Sequence, residues 1–211
     1  MDYLEKYLNY KKKYNELKEK SFINNIIWRR SEKTFLPGKV DLEPIKKAII
    51  NSPSSYGIQP YKVYLITDQN TKEKLLEACS NQKQAVECHG LFIFCAIKNV
   101  EERINQYIKE TGGERKKIYM MEYLSKLPDT LEWCKRQAYI ALGFGMAAAT
   151  ELKIASCPME GFSPTKVSKV LNLDDNYKPC VLLAVGKYNP LGESKLEPRF
   201  RFNDIIDEIK L

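Results

Sequence analysis

Strongly charged stretches with helical spacing alternate along this chain with short, unbroken apolar runs of strand length. Residues 2–20 carry Tyr3, Leu4, Tyr7, Leu8, Tyr14 and Leu17 near a 3.6-residue period on an otherwise charged segment, which predicts an amphipathic helix. Asp41 is suited to cap a helix running through Ile50, with Glu43 and Pro44 in its first turn and Asn51-Ser52-Pro53 ending it. Val63–Thr67 reads as a strand and Thr71–Cys79 as a helix. Leu91–Ile97 and Cys180–Val185 are continuous apolar runs, the pattern of strands covered on both faces. Between them, Leu131–Leu152 reads as a long, mostly apolar helix. Its Ala138, Ala141, Gly143, Gly145, Ala147, Ala148 and Ala149 would let a sheet or a symmetry mate approach closely. The expected architecture is α+β, a few central strands wrapped by helices.

The bulk properties narrow the classes. With 211 residues, the chain suits an amphipathic extension over 1–21 followed by a single domain over 22–211, or a protomer sharing its core with a partner. A hydrophobic fraction of 44% against 29% charged residues excludes a disordered chain. The net charge of +7 would suit either phosphorylated ligands or nucleic acid. Lys11, Lys12 and Lys13 are interleaved with Glu5, Glu16 and Glu19, and the other basic triplet is Arg115-Lys116-Lys117. No long basic stripe forms, so nucleic acid is not expected. The six cysteines lack any Cys-x-x-Cys pair and several sit in apolar runs, which suggests reduced core thiols and a cytoplasmic protein. Neither a signal region nor a membrane span is expected. A single histidine, His89, gives a histidine triad or a multi-histidine metal site almost no material, so no metal is expected. Gly-x-Gly-x-x-Gly and Walker motifs are absent, which disfavours a Rossmann dehydrogenase or nucleotide hydrolase.

Candidate chemistry concentrates in Trp28–Phe35 and Ser52–Tyr61. In the first, alternate residues Arg29, Ser31 and Lys33 offer a guanidinium, a hydroxyl and an ammonium along one side of an extended segment, a cradle for an anionic cofactor. Arg-Arg-Ser-x-Lys-x-Phe followed by Ser-Pro-Ser-Ser-x-x-x-Gln-Pro-Tyr resembles the opening of the FMN-dependent nitroreductase family. Later segments around Asn81, Pro158–Phe162 and Arg199-Phe200-Arg201 follow in that family's order.

The resemblance implies a nitroreductase-like sandwich, a mostly antiparallel sheet wrapped by helices in an interlocked homodimer with two FMN sites at the interface. It implies that Arg29, Ser31, Arg199 and Arg201 hold the phosphate and that Arg30 contributes its backbone. Lys33 and Asn81 would meet the polar edge of the ring, where Gln84 stands in place of a frequent lysine. Pro158, Met159, Glu160 and Gly161 would form the segment whose backbone N–H groups lie over flavin N5 and O4. Pro53, Ser54 and Ser55 would reach in from the other subunit, with Gly57 replacing a frequent asparagine and Tyr61 a commoner tryptophan. The implied activity is a ping-pong transfer of hydride from NADH or NADPH, through flavin N5, to a small nitroaromatic, quinone or related electrophile. No side chain acts as acid or base in it. Two other readings stay open at this point: a flavin-binding or redox-sensing protein without turnover, and a basic interaction protein without flavin.

Overall fold

The structure, a computed structural model, describes residues 5, 7, 8, 22–192, 205–207 and 209. The helix expected over 2–20 lies mostly outside the described residues, although Glu5, Tyr7 and Leu8 are helical and exposed. Arg199 and Arg201 lie outside them altogether.

The two long apolar runs become the central neighbours of a four-stranded sheet. Strands β1 (Tyr61–Ile66), β2 (Gly90–Ile97), β3 (Ala155–Met159) and β4 (Tyr177–Gly186) lie in the order β1-β2-β4-β3, and all three pairings are antiparallel. Eight helices surround them among the described residues: α1 (Phe22–Trp28), α2 (Glu43–Ile50), α3 (Gln69–Leu75), α4 (Gln84–Glu87), α5 (Val100–Thr111), α6 (Glu114–Ser125), α7 (Thr130–Glu151) and α8 (Pro164–Leu171).

Every residue of β2 is buried, which is why its sequence shows no polar alternation. Leu91, Ile93 and Cys95 pack on one face with Leu75 of α3, Ala85 of α4 and Val167 of α8. Phe92 and Phe94 pack on the other with Ile45 and Ile49 of α2 and Ala138 and Ala141 of α7. The small residues of α7 set the closeness of that layer: a Cβ on Gly145 would come within 3.0 Å of Ile49 Cγ1. Trp133 at the start of α7 joins Ile104 and Ile108 of α5 and Met120 of α6 in a third cluster. In β4, Cys180 is the extra residue of a bulge, because Phe94 faces Val181 while Cys95 faces Pro179. Pro179, which has no N–H to give a ladder, is tolerated at this irregularity.

The sequence expectation differs from the structure at specific points. The N-cap of α2 is Leu42, although Asp41 Oδ1 accepts the Glu43 N–H at 3.0 Å and supplies the acceptor expected of it. Helix α3 ends at Leu75 instead of Cys79, after which the chain turns through Ser80 and Asn81, both at positive φ. Pro158 and Met159 follow the long helix as expected, but in an edge strand that no sequence pattern predicted. The six cysteines are all free, and burial pushes the thiols of Cys79 and Cys88 up to about 11 and those of Cys95 and Cys134 up to about 12. No helix among the described residues is long and apolar enough to cross a membrane.

Candidate flavin site

Helix α1 delivers the basic segment onto the outer edge of β3. The helix closes with the Arg29 N–H on Asn25 O at 3.0 Å, after which Ser31 bridges Ser156 in parallel and Glu32 donates its N–H to Ser156 O at 3.1 Å. This docking sets the charges of Lys33 and Arg29 near Cys157. Burial raises that thiol, and the two cations pull it the other way. Lys33 is exposed, whereas Arg29, Arg30 and Ser31 are half-buried. The Arg30 guanidinium turns back on its own segment, donating to Trp28 O and lying 3.9 Å from Glu32 Oε1. Glu32, absent from the sequence expectation, is buried. The Ser156 hydroxyl, 1% exposed, finds no hydrogen-bond partner among the described residues, so this edge holds a buried polar atom that a ligand could satisfy.

A second pair of segments meets at Glu160 and Gly161. The consecutive left-handed residues Ser80 and Asn81, the latter donating its N–H to Leu76 O at 2.9 Å, bring Gln82 beneath the loop after β3. Gln82 Nε2 donates to Gly161 O at 2.6 Å and to Cys79 O at 3.2 Å, while its Oε1 accepts from Gln84 Nε2 at 3.0 Å. A Cβ at residue 161 would stand 2.8 Å from Gln82 Nε2, so glycine lets the amide approach without being pushed aside. Gln84 is buried, and its amide supports Gln82. Asn81 is exposed at the turn.

Across the same loop, Tyr139 of α7 donates its hydroxyl to Glu160 Oε1 at 2.5 Å. Burial raises the Tyr139 pKa, and the hydrogen bond and negative charge of Glu160 raise it further, so the phenol stays a donor. The carboxylate is thereby turned toward α7. Neither the Glu160 N–H nor the Gly161 N–H is taken by an acceptor among the described residues. Two backbone donors in a row, held from one side by Gln82 and from the other by Tyr139, suit an electron-rich heterocycle edge. The carboxyl side of this clamp opens on a cavity of about 490 Å³ bordered by Lys135, Arg136, Lys178 and Cys180.

The structure therefore gathers Asn81, Gln84, Pro158, Met159, Glu160 and Gly161 around one loop, and Arg29, Arg30, Ser31 and Lys33 along β3, the strand that leads into it. It keeps Pro53, Ser54, Ser55 and Gly57 elsewhere. Their loop leads into β1, at the opposite sheet edge, about 14 Å away by three inter-strand spacings. There the Ser55 N–H donates to Gln137 Oε1 at 2.8 Å and Ser54 Oγ accepts the Gln59 N–H at 2.8 Å, leaving the Ser54 hydroxyl proton as the available donor. Gly57 takes φ +74, a left-handed value that favours glycine. Sequence reasoning missed Gln82, Tyr139, Glu32 and Ser156. The first had a visible signal, a second amide between Asn81 and Gln84. The others depend on tertiary neighbours. No cluster of three or more histidine, cysteine or acidic residues among the described residues could hold a metal ion.

These donors fit FMN: cations along one edge strand, two free main-chain N–H groups, and a nearby carboxylate held away by a phenol. Comparison with known proteins agrees with the fold. Residues 26–187 match the model of the Nitroreductase family. A Staphylococcus haemolyticus protein, provisionally named an NAD(P)H nitroreductase, is 31% identical over 218 residues, covering 90% of this chain and 98% of its own length. Among solved structures, a nitroreductase family protein from Streptococcus pneumoniae superposes with a TM-score of 0.73 at 22% identity, over 90% of this chain and all of its own. A Staphylococcus epidermidis protein provisionally named an NAD(P)H:FMN oxidoreductase gives 0.71 at 20% identity, over 90% of this chain and 96% of its own. On the matched family model and the full-length relative, this chain belongs to the nitroreductase family.

Proposed function

We propose that this protein is a homodimeric FMN-dependent oxidoreductase that takes reducing equivalents from NADH or NADPH and delivers them to a small electrophile such as a nitroaromatic or quinone. The observation that carries the reading is the Glu160–Gly161 loop, clamped by Gln82 and Tyr139 with both main-chain N–H groups left available. When bound, FMN would supply the two-electron hydride chemistry of a ping-pong cycle between the nicotinamide and the second substrate. The chain's own residues bind and orient. Arg29 and Ser31, with Arg199 and Arg201 beyond the described residues, would neutralise the phosphate, while Lys33 and Asn81 would meet the polar ring edge. The family membership and the name of the Staphylococcus epidermidis relative support the choice of cofactor.

The dimer part of the reading rests on separation and exposure. Ser54 lies in the loop that leads into β1, at the sheet edge opposite β3 and Arg29, so in this reading such a loop reaches the site from a second copy. Helix α7 carries an exposed apolar stripe of Ile140, Gly143 and Phe144, the last 43% exposed. Gly143 lies mid-helix with open space for 4 Å around the position a Cβ would take. A glycine there costs about 1 kcal/mol relative to alanine, a cost that close crossing of a second helix would offset. Helix α1 adds exposed Phe22, Ile23, Ile26 and Ile27. Equilibrium binding of FMN to Arg29→Ala tests the reading: loss of a charge-assisted contact should weaken binding by about 1.5–3 kcal/mol, roughly 10- to 100-fold. An unchanged dissociation constant would remove Arg29 from the site.

A further inference from the structure

On the face of the sheet lined by α3 and α4 lies a cavity of about 630 Å³ that the flavin reading does not use. Its wall includes Lys72, only 4% exposed, on a helix whose neighbouring residues Glu73 and Lys74 point to solvent. The Lys72 ammonium donates to Cys88 O, at the C-cap of α4. No carboxylate pairs with it among the described residues. An ammonium has three donors, and capping one carbonyl uses one. A neutral amide would cap that carbonyl without the desolvation cost of a buried ion. The retained charge calls for an anion.

The remaining lining says which kind. His89 Nδ1 accepts the Val40 N–H at 3.1 Å, so the neutral imidazole carries its proton on Nε2 and has a donor to offer. Lys39 and Glu87 are the other charged residues of the wall. Two lysines against one glutamate leave a net charge of +1, which matches a monoanion better than a phosphate dianion. Phe35, Pro37 and Val86 supply an apolar surface, and the volume is that of a site for a small organic molecule. We propose that this cavity binds a small organic carboxylate, with its head on the Lys72 ammonium and its apolar body against Phe35, Pro37 and Val86.

His89 is the only histidine in the chain, which makes it a reporter for this cavity alone. Full-length protein labelled at histidine is titrated with sodium benzoate above the imidazole titration range, with sodium chloride matching the ionic strength, while the His89 ring signals are followed by NMR. A saturable shift is expected, weakened roughly tenfold or more in Lys72→Met and in Thr67→Trp, which fills the mouth but keeps the lysine. Should Lys72→Met fail to fold, Thr67→Trp decides. Three outcomes overturn the proposal: no saturable shift in the parent, equal binding by Thr67→Trp or by folded Lys72→Met, or inorganic phosphate binding as tightly as benzoate. Benzoate bound over a flavin would leave the His89 response independent of both substitutions and so count against the proposal.

Discussion

Replacing Gly161 with alanine tests the clamp at the centre of the candidate site. The new methyl would stand 2.8 Å from Gln82 Nε2, inside ordinary contact distance, so the amide must swing aside. That movement breaks the 2.6 Å bond to Gly161 O and strains the 3.2 Å bond to Cys79 O. Each lost bond is worth about 0.5–1.5 kcal/mol net, and the segment is near enough to solvent to avoid a full orphan penalty, so the expected cost is about 1–2 kcal/mol. For a chain of this length, that corresponds to a fall in Tm of about 2–8 °C. Gln82→Ala removes the same bonds and the obstacle with them. In the Gln82→Ala background, Gly161→Ala should therefore cost almost nothing, giving a coupling of about 1–2 kcal/mol in a double-mutant cycle. Urea unfolding at fixed protein and FMN concentrations measures all four species. Additive costs would refute the argument that Gln82 and Gly161 form one unit, and an unperturbed Gly161→Ala protein would refute the tight approach itself.

Other perturbations address the assembly and the lone imidazole. Phe144→Arg puts a charge on the exposed stripe of α7 without touching the protomer's core. It should weaken self-association by about 3 kcal/mol, roughly 100-fold, with flavin lost in parallel; sedimentation velocity and FMN absorbance would show both. His89 is held below its ordinary pKa of 6.5 by burial and then by the charges of Lys72 and Lys39. Between the lowered value and 6.5 the unfolded chain binds a proton that the folded chain does not, so stability should rise with pH through this window and be lost as pH falls. His89→Gln should flatten that slope in denaturant titrations; an unchanged slope would assign it to other groups.

How much of this could be read from the chain depends on what surrounds each residue. Leu91–Ile97 and Cys180–Val185 were legible because strands buried on both faces need no polar alternation. Strand β3 was not: Ala155-Ser156-Cys157-Pro158-Met159 mixes small, polar and imino residues, and it is a strand because β4 pairs with it. Helix α5 buries Val100, Ile104 and Ile108, a four-residue spacing present in the sequence but diluted by the charged residues between them. Gly161 could be singled out as a close approach, but its partner could not, because Gln82 reaches it only after two left-handed residues turn the chain. Lys72 sits in a charged run that reads as solvated helix, and only the packing of α3 on α4 reveals its burial.

The central claim is most directly tested by an anaerobic titration of the purified protein with NADH and, separately, with NADPH, followed by its visible spectrum. The account predicts a yellow protein with bound FMN, whose visible band bleaches with at least one nucleotide and returns when a nitroaromatic or quinone is added. A colourless protein that takes up no FMN, or a yellow one whose band is unmoved by both nucleotides, would contradict it.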